Sequence, residues 1–320
     1  MRLFANANFD FIGHQRIAIT ISAVLIGIGL LAGIFFQVTR GSWLNYGVDF
    51  TGGTLVQLRF TDGTTVGELR ALFGDVLPGS EITRFGADNE FLVRAPQVGE
   101  DAEGVTAAVV NVLNTRYSAG QYEVVRTEAV GPKVGSELQQ KAALAILVSF
   151  IATLIYLAFR FEWRFGLASL IATIHDVLAT LGLLALLQLE VALPTVAAVL
   201  TIVGYSLNDT IVVFDRIREN LKKSGRREEF VAIVNRSINE TLPRTVLTSV
   251  TTVAVLVALF VFGGAIIRPF ALIMTFGVVV GTYSSIFIAS PALLYIERRW
   301  GGKKVERPKR SRPVRAGASS

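Results

Sequence analysis

With 320 residues, 52% of them hydrophobic and only 18% charged, and a mean hydropathy of +0.52, the chain is too apolar for a soluble protein of its size. It has no cysteine, which excludes a disulfide framework and a thiolate metal site. The net charge of +6 is placed unevenly, and the placement carries more information than the value.

Residues 1–40 read as an N-terminal segment and a first membrane span. Phe4, Phe9 and Phe11 precede the apolar run 17–37 and suit residues 1–15 to an anchor in the membrane interface. Arg2 and Arg16 give the run a basic lead-in, as in a signal peptide. Its core is too long for one, however, and no small-residue cleavage pattern follows Gln37, so a retained span is expected.

Residues 41–138 are different material, polar and turn-rich. Residues 54–60, with Leu55, Val56, Leu58 and Phe60, have the alternation of a strand. Residues 64–73 suit a short helix capped by Thr64, with Val66, Leu69, Leu72 and Phe73 apolar. Strands are expected at 82–85 and 90–94, joined by a turn at Gly86, Ala87, Asp88 and Asn89. A helix at 101–117 shows Val105, Val109, Val112 and Leu113 on one face, and 122–130 closes as a strand. The order β-α-β-β-α-β predicts a ferredoxin-like, split-βαβ module. No cluster of His, Cys or paired acids with catalytic spacing occurs in it. It is either a folded spacer or a platform whose strand edges accept an extended peptide.

Residues 139–298 hold five further apolar runs, 142–159, 165–187, 193–214, 245–262 and 269–296. Each reaches or approaches the roughly 20 residues that cross a bilayer. The fold class is therefore an α-helical membrane protein with six transmembrane helices and one extracytoplasmic α+β domain between the first and second. Arg160 and Arg164 flank the turn between the second and third spans, and the linker 216–243 is rich in Arg and Lys. Within that linker, 229–239 predicts an amphipathic helix on the membrane surface, with Phe230, Ile233, Val234 and Ile238 on one face. The tail 299–320 is polybasic and serves either as a solvated topology signal or as a ligand for anionic lipid or another polyanion. The positive-inside rule places both termini in the cytoplasm and 41–138 outside.

Three constellations lie within the spans. His175 and Asp176 adjoin on the third, where a structural hydrogen-bonded pair and a proton relay are both open readings. Asn208 and Asp209 sit on the fourth. A carboxylate at membrane depth costs roughly 2.5–3.5 kcal/mol unless paired or solvated, so Asp209 reads as a proton or ion site, with a fixed ion pair as the other reading. Asp215 and Arg216 follow and suit an interfacial anchor. On the fifth span Arg244, Thr248, Thr251 and Thr252 form a polar stripe that cannot face lipid comfortably, and Arg244 falls at a depth where it can pair with Asp209. Gly277, Gly281, Ser285 and Ala289 on the sixth span, and Gly29 and Gly33 on the first, permit close helix approach. No G-x-x-x-x-G-K-[ST], H-E-x-x-H or G-x-S-x-G motif occurs. The expected protein is not an enzyme and takes its energy from an ion gradient or a partner.

The segments VDFTGGTLVQLRF (48–60), VGPKVGSEL (130–138), HDV (175–177), GYSLNDTIVVFDRIREN (204–220) and RTVLTSVTT (244–252) resemble the SecF family of the bacterial SecD/SecF protein-export complex, within the resistance-nodulation-division superfamily. The resemblance implies an accessory subunit of the Sec translocase in the cell inner membrane, which with SecD uses the proton gradient to promote late-stage export. Its implied partners are SecD, the SecYEG translocon with its small membrane subunits, the unfolded polypeptide in transit and membrane lipids; no nucleic acid or cofactor is implied. It also implies a proton path through Asp209 and Arg244; Asn208, Thr248, Asp215, His175 and Asp176 are further candidates from the reading of the spans themselves. A self-contained exporter of small molecules or lipids, and a non-energised scaffold of the translocase, are the alternatives.

Overall fold

The computed structural model describes residues 7–61, 63–85, 89–95, 102–118, 120–160, 162–224 and 228–300. Arg2, Phe4, residues 86–88 of the expected turn, Arg226, Arg227 and the basic tail beyond Trp300 lie outside the described residues. Among the described residues, six helices are long and apolar enough to cross a membrane. In chain order the elements are α1 (Gln15–Arg40), β1 (Asn45–Tyr46), α2 (Val48–Thr51), β2 (Gly53–Phe60), α3 (Val66–Phe73), β3 (Glu81–Arg84), β4 (Glu90–Ala95), α4 (Ala102–Arg116), β5 (Tyr122–Val130), α5 (Pro132–Arg160), α6 (Trp163–Leu187), β6 (Glu190–Val191), α7 (Leu193–Ser224), α8 (Phe230–Phe262), α9 (Gly264–Ser284), a π-helical turn (Ser285–Ala289) and α10 (Ser290–Trp300).

The sheet is antiparallel, ordered β3-β4-β2-β5, with α3 and α4 on one face. Its core joins Val56, Leu58 and Phe60 of β2 to Leu69 and Phe73 of α3, Phe91 and Val93 of β4, and Val109 and Leu113 of α4. β2 is buried on both faces, because Leu55 meets Val48 and Leu92 on the side away from these helices. The cap of α3 is Thr65, one residue beyond the expected Thr64, which is itself buried. Thr65 Oγ1 accepts from the Glu68 amide (3.3 Å) while Glu68 Oε2 accepts from the Thr65 amide (3.0 Å), so both otherwise unpaired amides are satisfied. Those bonds hold the Glu68 carboxyl below its ordinary value. Thr65→Ala should cost about 1 kcal/mol of module stability, read as faster amide exchange across α3.

In the bundle, α7 and α8 run 32 and 33 residues. At 1.5 Å per residue each is about 50 Å long, well beyond the roughly 30 Å hydrocarbon layer, so the pair projects past it. The linker 216–243 is accordingly no surface-lying helix. Residues 216–224 belong to the end of α7 and 230–243 to the beginning of α8, which runs unbroken through Pro243. The apolar face expected against lipid is instead buried in protein: Val234 and Ile238 pack in one core with Phe214, Ile217 and Leu293, and Ile233 is buried beside them in sequence. Polar contacts close the hairpin: Arg216 Nε meets Glu240 Oε2 at 2.6 Å, and Asn220 donates to Ser237 Oγ at 3.0 Å.

The N-terminal segment also differs from an interfacial anchor. Asn239 and Asn235, one turn apart on α8, hold residues 9–12 through their amides. Phe9 N donates to Asn239 Oδ1 and Asn239 Nδ2 returns a bond to Phe9 O, both 2.9 Å. Ile12 N donates to Asn235 Oδ1 (3.1 Å), and Asn235 Nδ2 donates to Asp10 Oδ1 (2.7 Å). The Gly13 amide, and after it Asn235, hold the Asp10 carboxyl below its ordinary value of 3.8. A depressed carboxylate contributes fully above its ordinary pKa and is lost as pH falls through its folded value. Amide exchange at Ile12 should therefore accelerate on acidification below about pH 4 in the native chain, and much less so in Asp10→Asn.

Two further elements depart from expectation. α5 starts at Pro132, well before the apolar run, so the second span grows directly out of β5. The sixth span is α9, the π turn and α10 rather than one regular helix. Gly277 and Gly281 bring it against α7: a Cβ on Gly277 would lie 2.2 Å from Ile202 Cδ1, and one on Gly281 would lie 2.9 Å from Ser206 Cβ.

Candidate functional site

Asp209 lies midway along α7 and is 2% exposed. Its Oδ2 accepts from Thr282 Oγ1 of α9 at 3.4 Å, and Thr282 Oγ1 is also 2.6 Å from Ser249 Oγ of α8. Among the described residues, three helices thus meet at this carboxylate through hydroxyls. The expected ion pair with Arg244 is not formed: Arg244 is exposed and acts on Asp209 through space, with no contact within ion-pair distance among the described residues. The reason is rotational. Depth along a helix follows from sequence position, but the azimuth of Arg244 on α8 points it to the flank of the bundle, where Thr248 and Thr251 are exposed too and Thr252 is half-buried.

Asn208 follows the same logic. Adjacent helical residues point about 100° apart, so with Asp209 inside, Asn208 faces out, as do Thr201 and Gly204 of the same helix. Tyr205 joins the two flanks, its hydroxyl 3.5 Å from Thr252 Oγ1. The bundle therefore exposes a polar face at mid-span on α7 and α8. Asp215 sits away from it near the charged helix ends, where its Oδ2 lies 2.6 Å from Arg160 and its Oδ1 3.6 Å from Arg218.

The His175–Asp176 pair on α6 is a second buried centre. Asp176 is fully buried and His175 is 8% exposed. His175 Nδ1 is 2.8 Å from Asp176 Oδ1, while Ser206 of α7 and Ser284 of α9 both donate to Asp176 Oδ2, the latter at 2.8 Å.

A connection not anticipated from the sequence ties the sheet to α7. β1 pairs with β6 in the turn before α7, and Gly47 N donates to Val191 O at 2.9 Å. Asp49 Oδ2 accepts from the Leu193 amide at 2.8 Å, capping the start of α7. Arg94 of β4 reaches Glu190 Oε1 at 3.0 Å and Asn45 Oδ1 at 3.3 Å. Gly52 and Gly53, with φ of +72° and +117°, turn the chain from α2 into β2. Side chains are strained at such angles, which is why glycine stands at both positions.

Comparisons with known proteins decide the family. The profile described as "Protein export membrane protein SecD/SecF, C-terminal" matches residues 109–299, and the "SecD/SecF GG Motif" matches 41–63. The chain is 46% identical to the protein translocase subunit SecF of Gemmatimonas aurantiaca, covering all of this chain and 96% of that one. It is 47% identical to the corresponding subunit of Magnetococcus marinus, covering 93% and 95%. The chain belongs to the SecF family. Among solved structures, the crystal structure of SecDF, a translocon-associated membrane protein from Thermus, superposes with a TM-score of 0.81 at 40% identity over 93% of this chain. This chain spans 40% of that longer SecDF chain. The GG motif of the SecF family is the Gly52–Gly53 bend, and its preceding Asp49 is the cap on α7.

Proposed function

We propose that this chain is the SecF half of a SecD/SecF pair that uses the proton gradient to promote late-stage export of polypeptides across the cell inner membrane. The observation that carries the reading is Asp209, a carboxylate enclosed by three helices midway along the same helix whose first turn is held by the sheet module. A charge buried at that depth is costly unless it changes or is balanced in use. Protonation of Asp209 neutralises it in place, and each proton crossing supplies about 2.3 kcal/mol per 100 mV. Arg244 remains charged throughout and sets the local field. Rotation or tilt of α7 then reaches the sheet module through Asp49 and β6, with no flexible linker between them.

The charge placement supports both termini in the cytoplasm and the βαββαβ module outside. Its strand order β3-β4-β2-β5 supports a ferredoxin-like assignment. Outside, the module works on the unfolded polypeptide leaving the SecYEG translocon. SecD is the partner suited to the polar flank of α7 and α8. Threonines within the span and an arginine at its edge favour a protein neighbour over lipid, and the SecDF chain matched above is more than twice this chain's length. The test is an export assay in vesicles under an imposed proton gradient, comparing the native pair with an Asp209→Asn pair. Loss of stimulated export with retained SecD association supports the reading; full export would leave a scaffold.

A further inference from the structure

The His175–Asp176 centre has a feature that a closed structural pair would lack. Asp176 is satisfied by three donors from three helices, but His175 Nε2 is buried and meets no partner among the described residues. When Nδ1–H donates to the carboxylate, Nε2 is a bare lone pair, and the pair carries a net negative charge in an apolar bundle. The atom open to chemistry is therefore a proton acceptor.

The second observation is the route between this centre and Asp209. Thr282 donates to Asp209, and Ser284, two residues on, donates to Asp176. Ser285 Oγ donates back to Thr282 O at 2.8 Å and begins the π-helical turn Ser285–Ala289. A π turn is a local misfit in an α-helical ladder and recurs at functional sites. Residues 282–285 thus read both carboxylates within one turn, at the point where the helix can change register.

We propose that His175–Asp176 is a second proton-binding site of the bundle, taking its proton at His175 Nε2, and that the 282–285 turn links its occupancy to that of Asp209. The proposal rests on the reading of Asp209 as a proton site. The step forms one N–H bond at Nε2 from the ring lone pair and breaks one O–H bond of the hydronium that delivers the proton, leaving neutral water. The pair passes from net negative to neutral, whichever side of the Nδ1–Oδ1 contact the first proton occupies. On the helices packed around the pair, the charged or titratable groups within the span are Tyr205 and Asp209 on α7 and Tyr283 on α9, and the Tyr205 hydroxyl is turned to Thr252 of α8. α1 has none between Arg16 and Arg40, α5 none between Lys141 and Tyr156, and α10 carries Tyr295, Glu297, Arg298 and Arg299 toward its end. Tyr283 is committed elsewhere, donating to Ala18 O at 2.6 Å.

The chain contains two histidines, so ¹⁵N-histidine NMR of the full chain co-purified with SecD in lipid can isolate this one. The His175 signal is the one lost in His175→Gln. The expected result is reversible protonation of Nε2 across the pH range in which the complex stays folded, absent or displaced in Asp176→Asn. Asp209→Asn and Ser284→Ala, the latter removing no ionisable group, should each displace the midpoint. An Nε2 that stays unprotonated throughout overturns the site. A midpoint indifferent to both Asp209→Asn and Ser284→Ala overturns the link. Because the readout is the imidazole and not export, failure here is distinguishable from failure of the Asp209 reading.

Discussion

Asp209→Asn is expected to reduce gradient-stimulated export to the level seen without the subunit, while leaving copurification with SecD and the melting temperature essentially unchanged. Asparagine keeps the shape of the side chain and can still accept from Thr282, so packing at the three-helix junction survives. What it lacks is the exchangeable charge. Removing a buried carboxylate also removes its desolvation cost, so any stability change should be upward. Asp209→Glu keeps the charge but pushes the carboxyl one methylene further toward Thr282 and Ser249, and partial activity is expected. Arg244→Lys should be milder than either, because the arginine acts at a distance and a lysine preserves the charge. Export by the asparagine variant at the native rate, under a verified gradient, would defeat the proton-coupled reading.

The six spans were legible because length and apolarity alone determine what can cross a bilayer. The sheet module was legible because its apolar residues recur at two recognisable periods. Two kinds of information were not. The first is azimuth. Sequence put Arg244 and Asp209 at matching depths, but the rotation of α8 that turns Arg244 to the flank depends on which α8 residues pack on α7 and α9, as Ser249 does. The second is what covers an apolar face. Phe230, Ile233, Val234 and Ile238 form the same stripe whether lipid or protein lies against it, and α7 supplies the protein. Long-range polar contacts were equally hidden. Asp49 and Leu193 are far apart in sequence, and the VDFTGG motif signals a turn rather than the helix that its acid caps. At His175–Asp176 the adjacency was visible, whereas Ser206 and Ser284 became partners only once α7 and α9 were placed.

The second large effect is expected at the junction between the sheet module and α7. Arg94 has 19% of its side chain exposed and bridges β4 to Glu190, Glu81 and Asn45. Replacing it with leucine leaves Glu190 without its counter-charge beside the β1–β6 pair. Loss of one partner of a fully buried pair costs about 3–5 kcal/mol, and partial exposure reduces this to about 1–3 kcal/mol. Asp49→Ala removes the acceptor for the Leu193 amide at the first turn of α7, for about 1 kcal/mol more. Neither residue lies near Asp209, so the intramembrane carboxylate and its hydroxyl partners should be undisturbed. If α7 drives the module through this junction, the double variant should still conduct protons but export poorly, the signature of a broken linkage. Proton flux into vesicles and export, measured on the same preparation, separate the cases. Native export from the double variant would show that force does not pass through this contact. Equal loss of flux and export would show that the junction serves the integrity of the bundle and not the transmission of its motion.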